Sequence, residues 1–157
     1  MEYKTSVPYK GPARPPLETA RSHFIANGFR IDQLSETELI AIGQGMFSTR
    51  QNPIAGASRT RITVSPDSID IIAELGGVKS IQRFLYIFPP ALAGCLALIF
   101  ACIPGFPANA LLLAFLPVLP WMVLSPLMAR WVRRRTIGAL DNLAHNLTIT
   151  SAHPEIG

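Results

Sequence analysis

Residues 84–129, FLYIFPPALAGCLALIFACIPGFPANALLLAFLPVLPWMVLSPLMA, contain no Asp, Glu, Lys or Arg, while Lys79 and Arg83 stand before them and Arg130, Arg133, Arg134 and Arg135 after. A bilayer core about 30 Å thick takes about 20 apolar residues per helical span. The run is long enough for two spans and a tight connection, a transmembrane hairpin. The first span is placed at 84–103 and the second at 108–129, joined through Pro104-Gly105-Phe106-Pro107. Residues 78–88 read as an interfacial lead-in helix with Ile81, Leu85 and Phe88 apolar. Pro89-Pro90 is expected to kink the helix on entry to the span, because each proline removes a backbone donor and crowds the preceding turn.

The charges around the run orient it. The connection carries no Lys or Arg, both flanks carry several, and cytoplasmic flanks are the ones enriched in positive charge. Both termini are therefore expected in the cytoplasm, with Lys79, Arg83, Arg130, Arg133, Arg134 and Arg135 against anionic headgroups. The net charge of +4 lies beside the membrane, whereas residues 17–78 hold more acidic than basic groups. A folded domain without a basic face does not suit nucleic acid. The expected partners are an anionic bilayer and other membrane subunits or a second copy.

Within the first span Ala93, Ala97 and Ala101 recur at i, i+4 and i+8, a small-residue stripe along which another helix packs closely. Ala110 and Ala114 of the second span are the natural counterparts, and Trp121 and Trp131 are expected as interfacial anchors. Cys95 and Cys102 lie on one helix face about 10 Å apart, beyond the reach of an intrachain disulfide. They are small packing residues, a bridge between protomers, or a metal site.

Residues 1–16 are polar and proline-rich, lack the apolar segment of a signal peptide, and read as a flexible arm. Residues 17–77 read as a small α+β domain. Leu17, Ala20 and Phe24 recur at helical spacing and Asn27-Gly28 ends the helix. Alternation then takes over in Phe29 and Ile31, in 37–42, in Ile62 and Val64, and in Ile69, Ile71, Ala73 and Leu75, with Ser65-Pro66-Asp67-Ser68 as a turn. One helix on a four-stranded antiparallel sheet is the expected assembly, with Phe24 covering Ile62, Val64, Ile69 and Ile71.

Residues 130–157 form a basic juxtamembrane segment and an amphipathic helix striped by Ile137, Leu140, Ala144 and Leu147. The stripe packs on the protein's own domain or on the lipid surface, or it docks to another protein or a second copy. His23, His145 and His153 are isolated, Gly43-Gln44-Gly45 lacks the third glycine of a dinucleotide fingerprint, and no ionisable group lies within the spans to relay protons. Neither cofactor, metal site nor catalytic activity is expected. The long loop 48–58 is singled out: with Arg50, Arg59 and Arg61 it is either a solvated connection or a contact for acidic lipid or a partner, alongside Ile137, Leu140 and Leu147. The expected function is that of a non-catalytic accessory or scaffold subunit of a larger membrane assembly. The alternative is a membrane-tethered domain that senses a lipid or small ligand between helix and sheet.

Overall fold

The computed structural model describes residues 1–46, 51–104, 107, 116 and 118–152. The chain runs β1 (Glu2–Pro8), α1 (Arg14–Ala26), β2 (Arg30–Leu34), β3 (Glu38–Ile42), a short 3₁₀ helix (Pro53–Gly56), β4 (Arg59–Val64), β5 (Ser68–Glu74), α2 (Gly76–Ala101) and α3 (Val118–Ala152). All strand pairs are antiparallel and the sheet order is β1-β5-β4-β3-β2. Four strands meander, and β1 joins at the far edge.

That fifth strand replaces the expected flexible arm. Tyr3, Thr5 and Val7 alternate with Glu2, Lys4 and Ser6 and pair with Ala73, Ile71 and Ile69, so β1 extends the apolar face of β5. Helix α1 then starts at Arg14 and takes Pro15 and Pro16 into its first turn, where a missing N–H costs nothing.

Register aligns one face of the sheet toward the core. Leu39 pairs with Ile62 and Ile62 with Ile71, while Ala41, Thr60 and Ala73 form a row of small residues. Phe24 of α1 is fully buried in the same cluster as Ile62, Val64, Ile69 and Ile71, with its ring 5.0 Å from that of Phe29. The opposite face mixes Ile40, Ile42 and Ile72 with charged groups and is crossed by Arg61–Glu38 at 3.0 Å and Arg59–Asp32 at 3.8 Å.

The second covering element is the C-terminal half of α3. Val132, Thr136, Leu140, Leu143, Ala144 and Leu147 fall on one helical stripe, and all are buried in the domain. Of the two readings of this stripe, packing on the protein's own domain is the one seen for Leu140 and Leu147, which lie inside the core, and Ile137 packs half-buried against it. The sheet has too few side chains in α1 alone to cover five strands, and α3 completes the layer.

Two of the remaining boundaries also differ from expectation. The lead-in helix and the first span are one helix, α2, that passes Pro89 and Pro90 without a break. The basic segment and amphipathic helix are likewise continuous with the apolar start of α3. Among the described residues one helix, α2, is long and apolar enough to cross a membrane, and only 11% of its apolar window is buried. The expected second span begins outside the described residues, which take it up again at 118.

Candidate functional site

Helices α2 and α3 meet along a seam, and its chemistry follows from Pro89. A helical carbonyl accepts from the N–H four residues on, so Pro89 leaves the Leu85 carbonyl without its partner. Two donors from α3 reach it: Trp121 Nε1–H at 2.9 Å and Ser125 Oγ–H at 3.1 Å. The single Ser125 hydroxyl proton is shared with the Trp121 carbonyl, 2.7 Å away on its own helix, so Trp121 is the principal donor to Leu85. Leu85 and Ser125 are both buried at this crossing. An apolar surround has no water to serve an open carbonyl, and donors from a neighbouring helix are what make a proline there tolerable.

The seam fixes the relative register of the helices. Leu85 lies opposite Ser125, and farther along α2 the residues Leu92, Ala93 and Leu96 share a groove with Val118 and Trp121. The helices therefore run antiparallel. Continued toward the sheet, this register sets Lys79 of α2 level with the stretch between Arg130 and Arg133 of α3, and Arg83 about one turn nearer the crossing, opposite Leu127. All four are exposed, as is Arg134, and none of the five forms an ion pair among the described residues. The domain's own Arg14, Arg30, Arg59 and Arg61 do, with Glu18, Asp32, Asp32 and Glu38. Glu2 and Glu74 line the same cleft as Lys79 without coming into ion-pair range. Arg135 differs from its neighbours: its guanidinium lies 4.6 Å from the centre of the Trp131 ring.

Beyond this basic belt the surface turns apolar. Phe84, Tyr86, Ile87, Phe88, Leu92, Leu98 and Ile99 on α2 and Leu119, Met122, Val123, Leu124 and Leu127 on α3 are exposed, far more contiguous apolar surface than a soluble face carries. Phe84 and Phe88 stack at 4.9 Å.

Of the small-residue stripe, Ala93 is buried at the seam, Ala97 is half-buried and Ala101 is exposed; Ala110 and Ala114 lie outside the described residues. Arg59 and Arg61 sit on the sheet face away from the core, paired with carboxylates, and Arg50 lies outside the described residues. Within the described part of the singled-out loop, residues 51–58, several side chains are structural. Ile54, Gly56 and Ala57 are buried, Asn52 caps the 3₁₀ helix by accepting from the Ile54 N–H at 3.2 Å, and Gly56 lets Thr136 of α3 approach so closely that a Cβ there would overlap the hydroxyl. Cys95 and Cys102 are free and exposed, His23 and His145 are exposed, and His153 lies outside the described residues. Among the described residues no three His, Cys, Asp or Glu side chains gather as a metal would require.

The Leu85 crossing escaped the sequence reading, although its signal was present. A proline four residues after Leu85 opens that carbonyl, and Ser125 is one of few hydrogen-bonding side chains in the uncharged run. Compared with protein-family models, with curated proteins and with solved structures, the chain shows no match.

Proposed function

We propose that the chain is a non-catalytic accessory or scaffold subunit of a larger membrane assembly, held by a two-span hairpin of 84–103 and 108–129 with both termini cytoplasmic. The observation that carries this reading is the continuity between anchor and domain. Leu75, the last residue before α2, is buried in the domain core, as is Val78 one turn into the helix, and α3 returns to supply Leu140, Ala144 and Leu147 to the same core. No linker separates the two parts, so a protein bound to the sheet domain is held at a fixed height and angle to the bilayer. The basic belt at one end of the apolar surface agrees with cytoplasmic termini.

A second reading, a domain that senses a lipid or small ligand, is favoured by the open grooves along the seam. The space between helix and sheet, where the ligand was first expected, is filled by Phe24, Leu39, Ile62, Ile71 and Leu140, each fully buried. Accessory function is therefore placed first.

The test has two parts. In a variant with Cys95 and Cys102 replaced by Ala, Pro107→Cys is expected to react with an impermeant thiol reagent in intact cells and His145→Cys only after lysis; the reverse pattern overturns the topology. The wild type extracted in mild detergent is expected to migrate with stoichiometric partners or copies. A lone monomer that yields no crosslinked species removes the scaffold reading and moves the sensing domain ahead.

A further inference from the structure

We propose that one side of the α2–α3 seam is a binding site for a single anionic phospholipid, with its phosphate on Lys79, Arg83, Arg130 and Arg133 and an acyl chain in the groove beyond them. The inference rests on the membrane-anchored reading and names the ligand of its basic belt.

Helical spacing sorts the belt to one side. Lys79, Arg83, Tyr86 and Pro90 fall at i, i+4, i+7 and i+11 on α2, and Met122, Pro126, Arg130 and Arg133 at i, i+4, i+8 and i+11 on α3; such series lie on a single stripe of a helix. Tyr86 and Pro90 of the first stripe and Met122 of the second line one groove of about 300 Å³, whose floor is the Leu85 and Ser125 crossing. The antiparallel register therefore stacks four cations directly above one apolar groove. On the other flank of the seam the groove is lined by Phe88 and Leu92, and Trp131 with Arg135 on its ring stands toward the domain there.

Charge identifies the occupant. None of the four cations forms an ion pair among the described residues, Lys79 sharing a cleft with Glu2 and Glu74 but out of their range, while the arginines of the sheet face are satisfied at home, so an anion from outside the chain can supply the counter-charge. It must be an anion continuous with an apolar tail, since the groove beginning one to two turns farther along is apolar and open to the side. A glycerophospholipid with net negative charge has that chemistry; a zwitterionic one carries its own cation to compete with the arginines.

The experiment places the full chain in nanodiscs of mixed phosphatidylglycerol and phosphatidylcholine, releases it in mild detergent and reads retained lipid by native mass spectrometry. Wild type is expected to keep one phosphatidylglycerol in preference to phosphatidylcholine. Arg83→Gln with Arg130→Gln should lower that preference about thirtyfold, since each cation near an anionic headgroup contributes a factor of about five. Arg134→Gln with Arg135→Gln, which removes the same charge from outside the groove side, should lower it far less. Met122→Trp fills the groove and should displace the lipid with all six cations in place. Equal loss from the two arginine pairs, retention unchanged in Met122→Trp, or no preference in wild type each overturns the site. Alkaline carbonate extraction separates this from the parent reading: a chain released from membranes sinks the anchor itself, whereas one that stays in the bilayer without selecting lipid sinks only the site.

Discussion

The indole N–H of Trp121 on α3 donates to the carbonyl of Leu85 on α2 at 2.9 Å, and the carbonyl is open to it because Pro89 stands where the helical donor would be. The link between the helices is thus written into one of them as a deficit and into the other as two donors. Removing the donors leaves a buried carbonyl without a partner, which costs about 1–3 kcal/mol.

Trp121→Phe with Ser125→Ala is therefore expected to lower the melting midpoint in detergent by more than either change alone. Adding Pro89→Ala restores the N–H and should recover much of the loss, because the Leu85 carbonyl then pairs within its own helix. A triple variant no more stable than the double one would show that the crossing is held by packing alone.

A second expectation concerns the C-terminal helix. Leu140 and Leu147 are fully buried against the sheet domain, so Leu147→Ala should cost about 2–5 kcal/mol, a large share of the stability of any small domain. Limited proteolysis should then cut the sheet strands as readily as the helix. If the variant loses only a binding partner and its strands stay resistant, the stripe is an external docking face after all.

Two buried hydroxyls, Thr60 Oγ1 and Thr136 Oγ1, have no hydrogen-bond partner among the described residues. Thr60 lies in β4 between Ala41 and Ala73, a place suited to a β-branched apolar side chain. Thr60→Val is expected to stabilise the protein by about 1 kcal/mol, since an unpaired buried hydroxyl is a cost that the methyl does not carry. Gly56→Ala should do the opposite by driving a methyl into Thr136, and Thr136→Ala should relieve part of that clash. Chemical denaturation of Thr60→Val, of Gly56→Ala and of Gly56→Ala with Thr136→Ala decides the signs.

What the sequence made legible was what is local. The apolar helix that opens the uncharged run, the alternation of β3 to β5 and the stripe of Leu140, Ala144 and Leu147 are all periodic or compositional, and each of these elements formed. The misses are matters of partner. Tyr3, Thr5 and Val7 alternate in a short segment ending at Pro8, and only pairing with Ile69, Ile71 and Ala73, distant in sequence, makes them a strand. Pro89 and Pro90 lie inside one continuous helix, and the donors from α3 that satisfy the carbonyl opened by Pro89 come from a distant part of the chain. The candidate site was legible as a set of charges; its division into two sides of a seam needed the register of Leu85 against Ser125.

The last prediction concerns the clasp between β1 and α3. Tyr3 Oη donates to Asp141 Oδ1, joining the edge strand to the helix that covers it. Partial burial, and next the hydrogen bond to Asp141, hold the Tyr3 hydroxyl above its ordinary value of 10.0. A group whose folded-state pKa is raised lends stability that is fully present below its unfolded value and is lost as pH climbs through the folded one. Stability should accordingly hold on the acid side of pH 10.0 and decline above it as the phenolate forms beside the carboxylate. Tyr3 is partly open to solvent, so the effect is small, and the diagnostic quantity is the difference between variants. Tyr3→Phe should remove this alkaline component, and amide exchange along β1 should become faster at neutral pH because the clasp is gone. A Tyr3→Phe protein whose stability falls with alkaline pH as steeply as wild type would show that other groups govern the decline.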